Sequence, residues 1–379
     1  NIPSIKKIIV NSISPKAYIH INRLKENLFN IRRQVGGRPI LCVVKANGYG
    51  HGAEIIASSI ADEPGISFSV FSFEEALDLR KAGISNEILI FSRIQDYWIK
   101  RALKYNFIVS ASSVADINLL QNMYEQSGKC PRFHIKFDTG MTRLGFDLNE
   151  SNSVFSFLKK NKKLPLEGIY SHFSSAEEDD LSYAYQQLNA FKQVVNEGQN
   201  AGIIFHYIHC SNSGAILNLS DSYFNLVRVG LLLYGANPSI GISMNVNVKP
   251  VMSFCGPIVN IRRVLAGTKV SYGGVYTTKK DTNIAVVQTG FADGFPRPWY
   301  ENGFVSYKGL EYKIAGRPCM DQFMVDFGNA EPKEGDEVLI FGKKNLDELP
   351  VERIAEDTGT TSYALLTAIH GRTDYIVLN

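Results

Sequence analysis

In Ile40-Leu-Cys-Val-Val44 followed by Lys45-Ala-Asn-Gly-Tyr-Gly-His-Gly52, an apolar run stops against a lysine and a turn that carries three glycines. An apolar run of this length, bounded by turn residues, reads as a buried strand. A lysine at the end of such a strand loses solvation, so its pKa falls and its amine becomes available as a nucleophile or a base. Schiff-base lysines arise in this way. Gly48, Gly50 and Gly52 let the backbone bend sharply and bring its N–H groups close to an anion. The plainer alternative is a strand whose last residue snorkels to water. The glycines interleaved with Tyr49 and His51 weigh against it.

Outward from this junction, short β-rich runs alternate with longer amphipathic ones between residues 40 and 235. The strand candidates are Ile40–Val44, Ser67–Phe71, Ile88–Phe91, Phe107–Ser110, Phe133–Phe137, Leu166–Ser171, Tyr207–Cys210 and Leu226–Val229. Helix candidates lie between them: Ala53–Ala61, Phe73–Lys81, Ile94–Leu103, Val114–Gln126, Ser151–Lys160, Ser182–Gly202 and a short one near Gly214–Leu217. An eightfold strand–helix alternation implies parallel pairing with right-handed crossovers, the stoichiometry of a (β/α)8 TIM-type barrel. A doubly wound α/β sheet is the competitor. The barrel is preferred because polar residues recur just after successive strands: Lys45, Lys136 with Asp138, His172, Ser211 to Ser213, and Arg228. In a barrel those strand ends gather around one mouth.

After Asn237-Pro-Ser the texture changes to β-type runs separated by Gly-Gly, Asn-Gly, Lys-Gly and Gly-Asp turns. The expected division is therefore an N-terminal barrel over residues 17–237 and a C-terminal mainly β domain over 238–379. The N-terminal segment 1–16 is a candidate to join the β domain, and Ala17–Ile21, which precedes the barrel pattern, is a candidate to pair into it.

A chain of 379 residues fits two domains, and its 45% hydrophobic content supplies a sizeable core. A net charge of +3 gives no case for nucleic-acid binding, and Lys159-Lys160-Asn161-Lys162-Lys163 reads as a solvated helix end. Five scattered cysteines without C-x-x-C spacing suit unpaired thiols in a reducing cytosol, and no metal is expected. The N-terminal apolar run Ile8-Ile9-Val10 is too short for a signal-peptide core, and no window approaches a membrane span. The expectation is a cytoplasmic protein with no membrane partner.

Several further residues carry chemistry. Arg143, between Gly140 and Gly145, could clamp a carboxylate or pair instead with Asp138 or Asp147. His172 follows a strand, where an imidazole can stack on a ring or simply be hydrogen-bonded. Ser213, at the start of a helix, could hold a phosphate or only cap that helix. Arg228 interrupts an apolar strand and would be buried without a partner unless an acid or an aromatic lone pair met it; a pyridine nitrogen is one such group. Tyr272 sits beside two glycines in a β-rich run, where tyrosine is ordinarily packing material. Gly290-Phe-Ala-Asp-Gly-Phe295 and Gly316-Arg-Pro-Cys-Met-Asp321 are polar turns suited to an entrance or an interface.

Val44-Lys-Ala-Asn-Gly-Tyr-Gly-His-Gly52 resembles the pyridoxal-phosphate attachment segment of the alanine racemases. Asp138-Thr-Gly-Met-Thr-Arg-Leu-Gly145, Ser171-His-Phe-Ser174, Arg228-Val-Gly230, Leu233-Tyr-Gly235, Ser271-Tyr-Gly273, Gly290-Phe-Ala-Asp-Gly294 and Cys319-Met-Asp321 are similar to further motifs of that family in the same order. The resemblance implies an N-terminal barrel, a C-terminal β domain and a head-to-tail homodimer whose active sites are built from both chains. It implies that Lys45 forms a Schiff base with pyridoxal 5'-phosphate, that Tyr49, Ser213, Gly230, Leu231 and Tyr363 surround the phosphate, that His172 stacks on the ring and that Arg228 meets the pyridine nitrogen. It places Arg143 and Met320 near the substrate, with Met320 and Tyr272 given by the partner chain, and makes Lys136 a candidate for carbamylation that would orient Arg143. The implied activity is racemisation of alanine by two bases, Lys45 for the D-isomer and Tyr272 for the L-isomer, supplying D-alanine for peptidoglycan.

Free tyrosine ionises at about pH 10, so Tyr272 needs cationic neighbours to serve as a base. Arg228 cannot readily give up its proton, which keeps the pyridine ring a weak electron sink and favours return of a proton at Cα over transamination. Two residues depart from the family pattern: Phe291 stands where tyrosine is common and Pro318 where a branched aliphatic is usual, which opens the question of substrate breadth. The alternatives are a racemase of wider range that includes serine, and a non-catalytic pyridoxal-phosphate carrier. The related barrel decarboxylases fit less well, because Cys319-Met-Asp321 follows the racemase pattern.

Overall fold

The computed structural model describes residues 13–239 and 244–379. The Ile8-Ile9-Val10 run and most of segment 1–16 lie outside the described residues. The chain divides into one unit from His20 to Val251 and a second formed by the described residues up to Ile19 with Met252–Leu378. The opening strand β1 (Lys16–His20) pairs antiparallel with the strand Met252–Val264, Lys16 opposite Cys255 and Ile19 opposite Met252. Backbone pairing thus takes Ala17–Ile19 into the β unit, and the unit that holds the barrel runs from His20.

The first unit holds eight parallel strands: β2 (Ile40–Val43), β3 (Ile66–Val70), β4 (Ile88–Ile90), β5 (Ile108–Ala111), β6 (Phe133–Lys136), β7 (Leu166–Tyr170), β8 (Tyr207–His209) and β9 (Val227–Val229). They run in the order β8-β7-β6-β5-β4-β3-β2-β9, the nearly closed (β/α)8 barrel of the expected fold class. β2 and β5 are buried at every residue, which is why they read as continuous apolar runs rather than alternating ones. The helices between strands bury one stripe each. Ile21–Gln34, a helix that the strand–helix pattern left out, buries Ile21, Leu24, Leu28 and Ile31 at helical spacing. Phe73–Lys81 starts with a capping box in which Ser72 and Glu75 exchange hydrogen bonds.

Among the described residues no backbone ladder joins β8 to β9. Side chains bridge the gap instead. Ile208 N–H donates to Asn225 Oδ1 at 2.7 Å, and Asn225 Nδ2 donates to His206 O at 2.8 Å. Arg228 Nη1 donates to His209 O at 3.1 Å. Strand-edge groups must be paired inside a fold, and here Asn225 and Arg228 do what a ladder does elsewhere. Asn225→Ala is expected to lower barrel stability by about 1–3 kcal/mol, because it strands an N–H and a carbonyl at once; urea unfolding of the cofactor-free protein measures it, and an unchanged midpoint would contradict this account of the seam.

The described part of the second unit holds a sheet of nine strands, β1 among them, and a separate two-stranded ribbon of β11 (Lys269–Val270) and β12 (Tyr276–Thr277). After β10 (Met252–Val264) and this ribbon come β13 (Thr282–Val287), β14 (Phe304–Tyr307), β15 (Leu310–Ile314), β16 (Phe323–Asp326), β17 (Glu337–Lys344), β18 (Asp347–Leu349) and β19 (Asp374–Leu378). β17 pairs with both β14 and β10, so part of the sheet closes on itself. Tyr272 lies on a turn between β11 and β12, because Ser271, Gly273 and Gly274 all take positive φ and break the β-rich run. β1 is anchored by an ionic cluster in which Glu337 receives Lys16 Nζ at 2.6 Å, Tyr18 Oη at 2.8 Å and Lys344 Nζ at 2.5 Å.

Candidate active site

Lys45 follows β2 and opens a turn whose backbone is left-handed. Ala46, Asn47 and Gly48 have φ of 51°, 54° and 63°, and Tyr49, Gly50 and Gly52 continue at 52°, 80° and 87°. The glycines announce a turn, but left-handed Ala46, Asn47 and Tyr49 are beyond what they predict. Each non-glycine residue in this region costs roughly 1–2 kcal/mol, so other groups must hold it. Glu75 Oε1 accepts Ala46 N–H at 2.7 Å, and Asn47 Oδ1 accepts Ala53 N–H at 3.0 Å. His51, buried, donates from Nδ1 to Tyr49 O at 2.9 Å and lies 4.5 Å from the Tyr234 ring. Tyr234 in turn donates to Val43 O at 2.9 Å, which ties the turn to the end of β2.

The same mouth receives the ends of the other strands. Lys136 closes β6, His172 follows β7, Ser213 follows β8, and Arg228 lies on β9 ahead of Gly230 and Leu231. Burial, the Arg143 charge and the Arg228 charge push the Lys136 amine down to about 8, with Asp138 opposing. Burial and Arg143 also lower Lys45, with Glu75 opposing, and His172 is held neutral by burial and by Arg228, Arg143, Lys136 and Lys45. Asp138 does not pair with the Arg143 guanidinium. Its carboxylate accepts the N–H groups of Gly140, Met141 and Arg143, each at 2.8 Å, and so shapes the loop that carries Arg143, which is exposed.

Ser213 is not the helix cap. Asn212 caps Ser213–Asn218 by accepting Ala215 N–H at 2.9 Å, which leaves Ser213 Oγ to accept Gly230 N–H at 3.2 Å and Leu232 N–H at 3.3 Å. A β-carbon on Gly230 would fall 2.6 Å from Tyr49 Oη. Tyr49 Oη, Ser213 Oγ and the Gly230 backbone, with Leu231 next in the chain, therefore form one cradle that only glycine leaves open, suited to a phosphate.

Arg228 is buried, yet no carboxylate meets it. Nη2 donates to Ser171 O at 2.8 Å and Cys210 O at 3.1 Å, and Nη1 donates to His209 O at 3.1 Å. Nη1 also lies 2.8 Å from His209 Nδ1, and Nη2 lies 3.2 Å from His172 Nδ1. Arginine only donates, so His209 Nδ1 accepts and its proton sits on Nε2, 2.9 Å from His134 Nδ1. Burial brings Arg228 down to about 10, which leaves it charged near neutrality. Tyr170 stacks on His209 at 4.9 Å with an interplanar angle of 3°, and Arg228 lies 5.5 Å from the Tyr170 ring centroid.

Residues 19–238 match the family described as "Alanine racemase, N-terminal domain" and residues 251–377 the one described as "Alanine racemase, C-terminal domain". The chain belongs to the alanine racemase family. An alanine racemase of Desulforamulus reducens is 38% identical over 360 residues, covering 94% of this chain and 96% of the relative. Among solved structures, the alanine racemase of Clostridium difficile 630 superposes with a TM-score of 0.90 at 34% identity, covering 98% and 97% of the two chains. That of Streptomyces coelicolor A3(2) gives 0.91 at 30% identity, covering 97% and 98%.

In this alanine racemase fold the barrel gathers Lys45, Tyr49, Lys136, Arg143, His172, Ser213, Arg228, Gly230 and Leu231 within one unit, whereas Tyr272, Met320 and Tyr363 belong to the β unit. Tyr272 is 66% exposed and Met320 57% exposed. The Met320 loop packs backbone to backbone on the Phe291 turn: Ala292 N–H donates to Met320 O at 3.0 Å, and a β-carbon on Gly290 would fall 2.0 Å from that oxygen. Asp293, buried, accepts Gly290 N–H at 3.0 Å and Arg372 Nε at 2.9 Å, while Arg372 Nη1 reaches Asp321 at 2.7 Å. Tyr363 lies half-buried on the helix Ser362–Thr367. Sequence reasoning passed over Glu75, Tyr170, His134 and the partner role of His209. The Ser72-x-x-Glu75 spacing marked a helix start, but nothing local linked Glu75 to the lysine turn.

Proposed function

We propose that this alanine racemase interconverts L-alanine and D-alanine with pyridoxal 5'-phosphate as cofactor, using Lys45 and Tyr272 as bases on opposite faces of Cα. The observation that carries the reading is the left-handed turn that sets Lys45, its amine lowered by burial, in one mouth with the Tyr49–Ser213–Gly230–Leu231 cradle and the buried Arg228. When bound, the cofactor supplies an electron sink for the Cα–H bond. Lys45 would hold it and would serve the D-isomer as base. Tyr49, Ser213, Gly230 and Leu231 would hold its phosphate, Tyr363 is proposed as a further phosphate residue, and His172 would meet its ring. Arg228 would serve the ring nitrogen without giving up a proton. Arg143 and Met320 position the substrate.

Solvent-facing Tyr272 on the β unit serves the L-isomer in the site of a partner chain, which makes the enzyme a homodimer with shared sites. Its large exposure, like that of Met320, is what a residue reserved for a second copy would show. No described helix is long and apolar enough to cross a membrane. A cytoplasmic enzyme of this kind supplies D-alanine for peptidoglycan. Exchange of the Cα hydrogen with deuterated water tests the reading: both enantiomers of alanine should wash out label, and cofactor uptake without exchange on either would reject it. A wider substrate range is the second reading, favoured by Phe291, over whose ring Arg297 lies at 5.6 Å. Initial rates on alanine, serine and lysine separate the two.

Lys136 is proposed to carry a carbamate next to Arg143. Only the neutral amine attacks carbon dioxide, forming the N–C bond and releasing a proton, and neutral amine accumulates as pH rises through about 8. At constant dissolved carbon dioxide, a carbon-13 carbamate resonance should therefore grow several-fold between pH 6.5 and pH 9 and vanish in Lys136→Ala. A resonance of equal size at both pH values would contradict it.

A further inference from the structure

The two oxygens of Glu75 do separate work. Oε2 completes the capping box of its own helix, accepting Ser72 N–H at 3.1 Å and Phe71 N–H at 2.8 Å. Oε1 is not needed for that and reaches instead to Ala46 N–H at 2.7 Å, the first amide after Lys45. That amide belongs to a residue at φ 51°, where a side chain with a β-carbon is disfavoured, and the next residue, Asn47, is at φ 54°. Asn47 is held from the other side by its own side chain, which accepts Ala53 N–H at 3.0 Å. A charge-assisted hydrogen bond at the entry to the turn and a neutral one at its exit therefore bracket the strained residues.

We propose that Glu75 is a positioning residue for Lys45, its carboxylate clamping the peptide between Lys45 and Ala46 so that the left-handed turn keeps the lysine in its catalytic place. The bond runs from the helix after β3 to the loop after β2, so the geometry of one barrel unit is set by its neighbour. The catalytic meaning of the clamp rests on the function proposed above for Lys45, while its structural meaning does not.

The experiment uses the full chain, with and without pyridoxal phosphate, in the wild type, Glu75→Ala, Glu75→Gln and each variant combined with Ala46→Gly. Amide hydrogen exchange of the cofactor-free protein reads the turn, and kcat and KM for L-alanine read the loaded enzyme. Glu75→Ala should speed exchange over residues 46–52 tenfold or more and lower kcat at least tenfold with KM within threefold. Glu75→Gln keeps one acceptor oxygen and should fall between, and it carries the test alone if Glu75→Ala does not fold. Ala46→Gly should recover at least a third of each loss, since glycine takes φ 51° without a clash. A Glu75 that only caps its helix would raise exchange at residues 71–75, leave 46–52 as in the wild type and gain nothing from Ala46→Gly; that result overturns the proposal. A wild type that neither takes up the cofactor nor racemises alanine would reject the proposed function, and the exchange data would still decide the clamp.

Discussion

Lys45→Ala should abolish interconversion of the alanine enantiomers, with kcat lowered by at least about 10^4-fold, because one side chain is asked to hold the cofactor and to move a proton. Tyr272→Phe should be nearly as damaging to racemisation, on the order of 10^3-fold, but in a different manner. The phenylalanine variant keeps the amine, so Cα–H exchange on the D-isomer should survive while inversion fails. The two variants together separate a two-base route from one in which a single group shuttles the proton. Racemisation in Lys45→Ala above one part in a thousand of the wild type would remove the lysine from its assigned role. Equal loss of exchange on both enantiomers in Tyr272→Phe would remove the tyrosine from its own.

The second large effect is on stability. Arg228→Ala should cost about 3–5 kcal/mol in the cofactor-free protein, since it strands several buried acceptors together and each unpaired group costs roughly 1–3 kcal/mol. The acceptors that lose their donor are Ser171 O, Cys210 O and His209 Nδ1, while His209 O keeps Ser171 N–H at 3.3 Å. Two of the three belong to the stretch around β8 that no ladder ties to β9, so water can reach them only if the wall loosens. Arg228→Lys should recover less than half of the loss, because an ammonium cannot fork to acceptors on both sides. Urea unfolding monitored by a barrel probe measures the difference. A loss below about 1 kcal/mol would mean that the carbonyls find other donors and that Arg228 is held for the cofactor alone.

Much of the architecture was legible because it is local. Ile40–Val44 and Phe133–Phe137 are apolar runs of strand length, Phe73–Lys81 has its helical face and cap written in consecutive residues, and the family resemblance of the ordered motifs supplied the rest of the barrel-plus-β arrangement. What escaped is non-local. The groups that keep Arg228 buried lie far off in the chain: its Nη atoms reach carbonyls and imidazoles at the ends of β7 and β8, one of them 57 positions away in sequence. Whether Ser213 caps its helix stayed open, because serine and asparagine are equally good caps and only the fold decides which one turns inward. Left-handed Ala46 carries no mark in the sequence, since the carboxylate that accepts its N–H comes from the next helix. Ala17–Ile19 preceded the barrel pattern, and its strand partner stands more than two hundred residues downstream.

A cask whose last two staves are pegged rather than jointed will leak first at the pegs. Here the pegs are Asn225 and Arg228. Slow breathing of the barrel should therefore start along one known line, and it should start beside the chemistry. Any agent that pries that line apart, whether heat, urea or a crowded substitution near His209, disarms the enzyme before it unravels it.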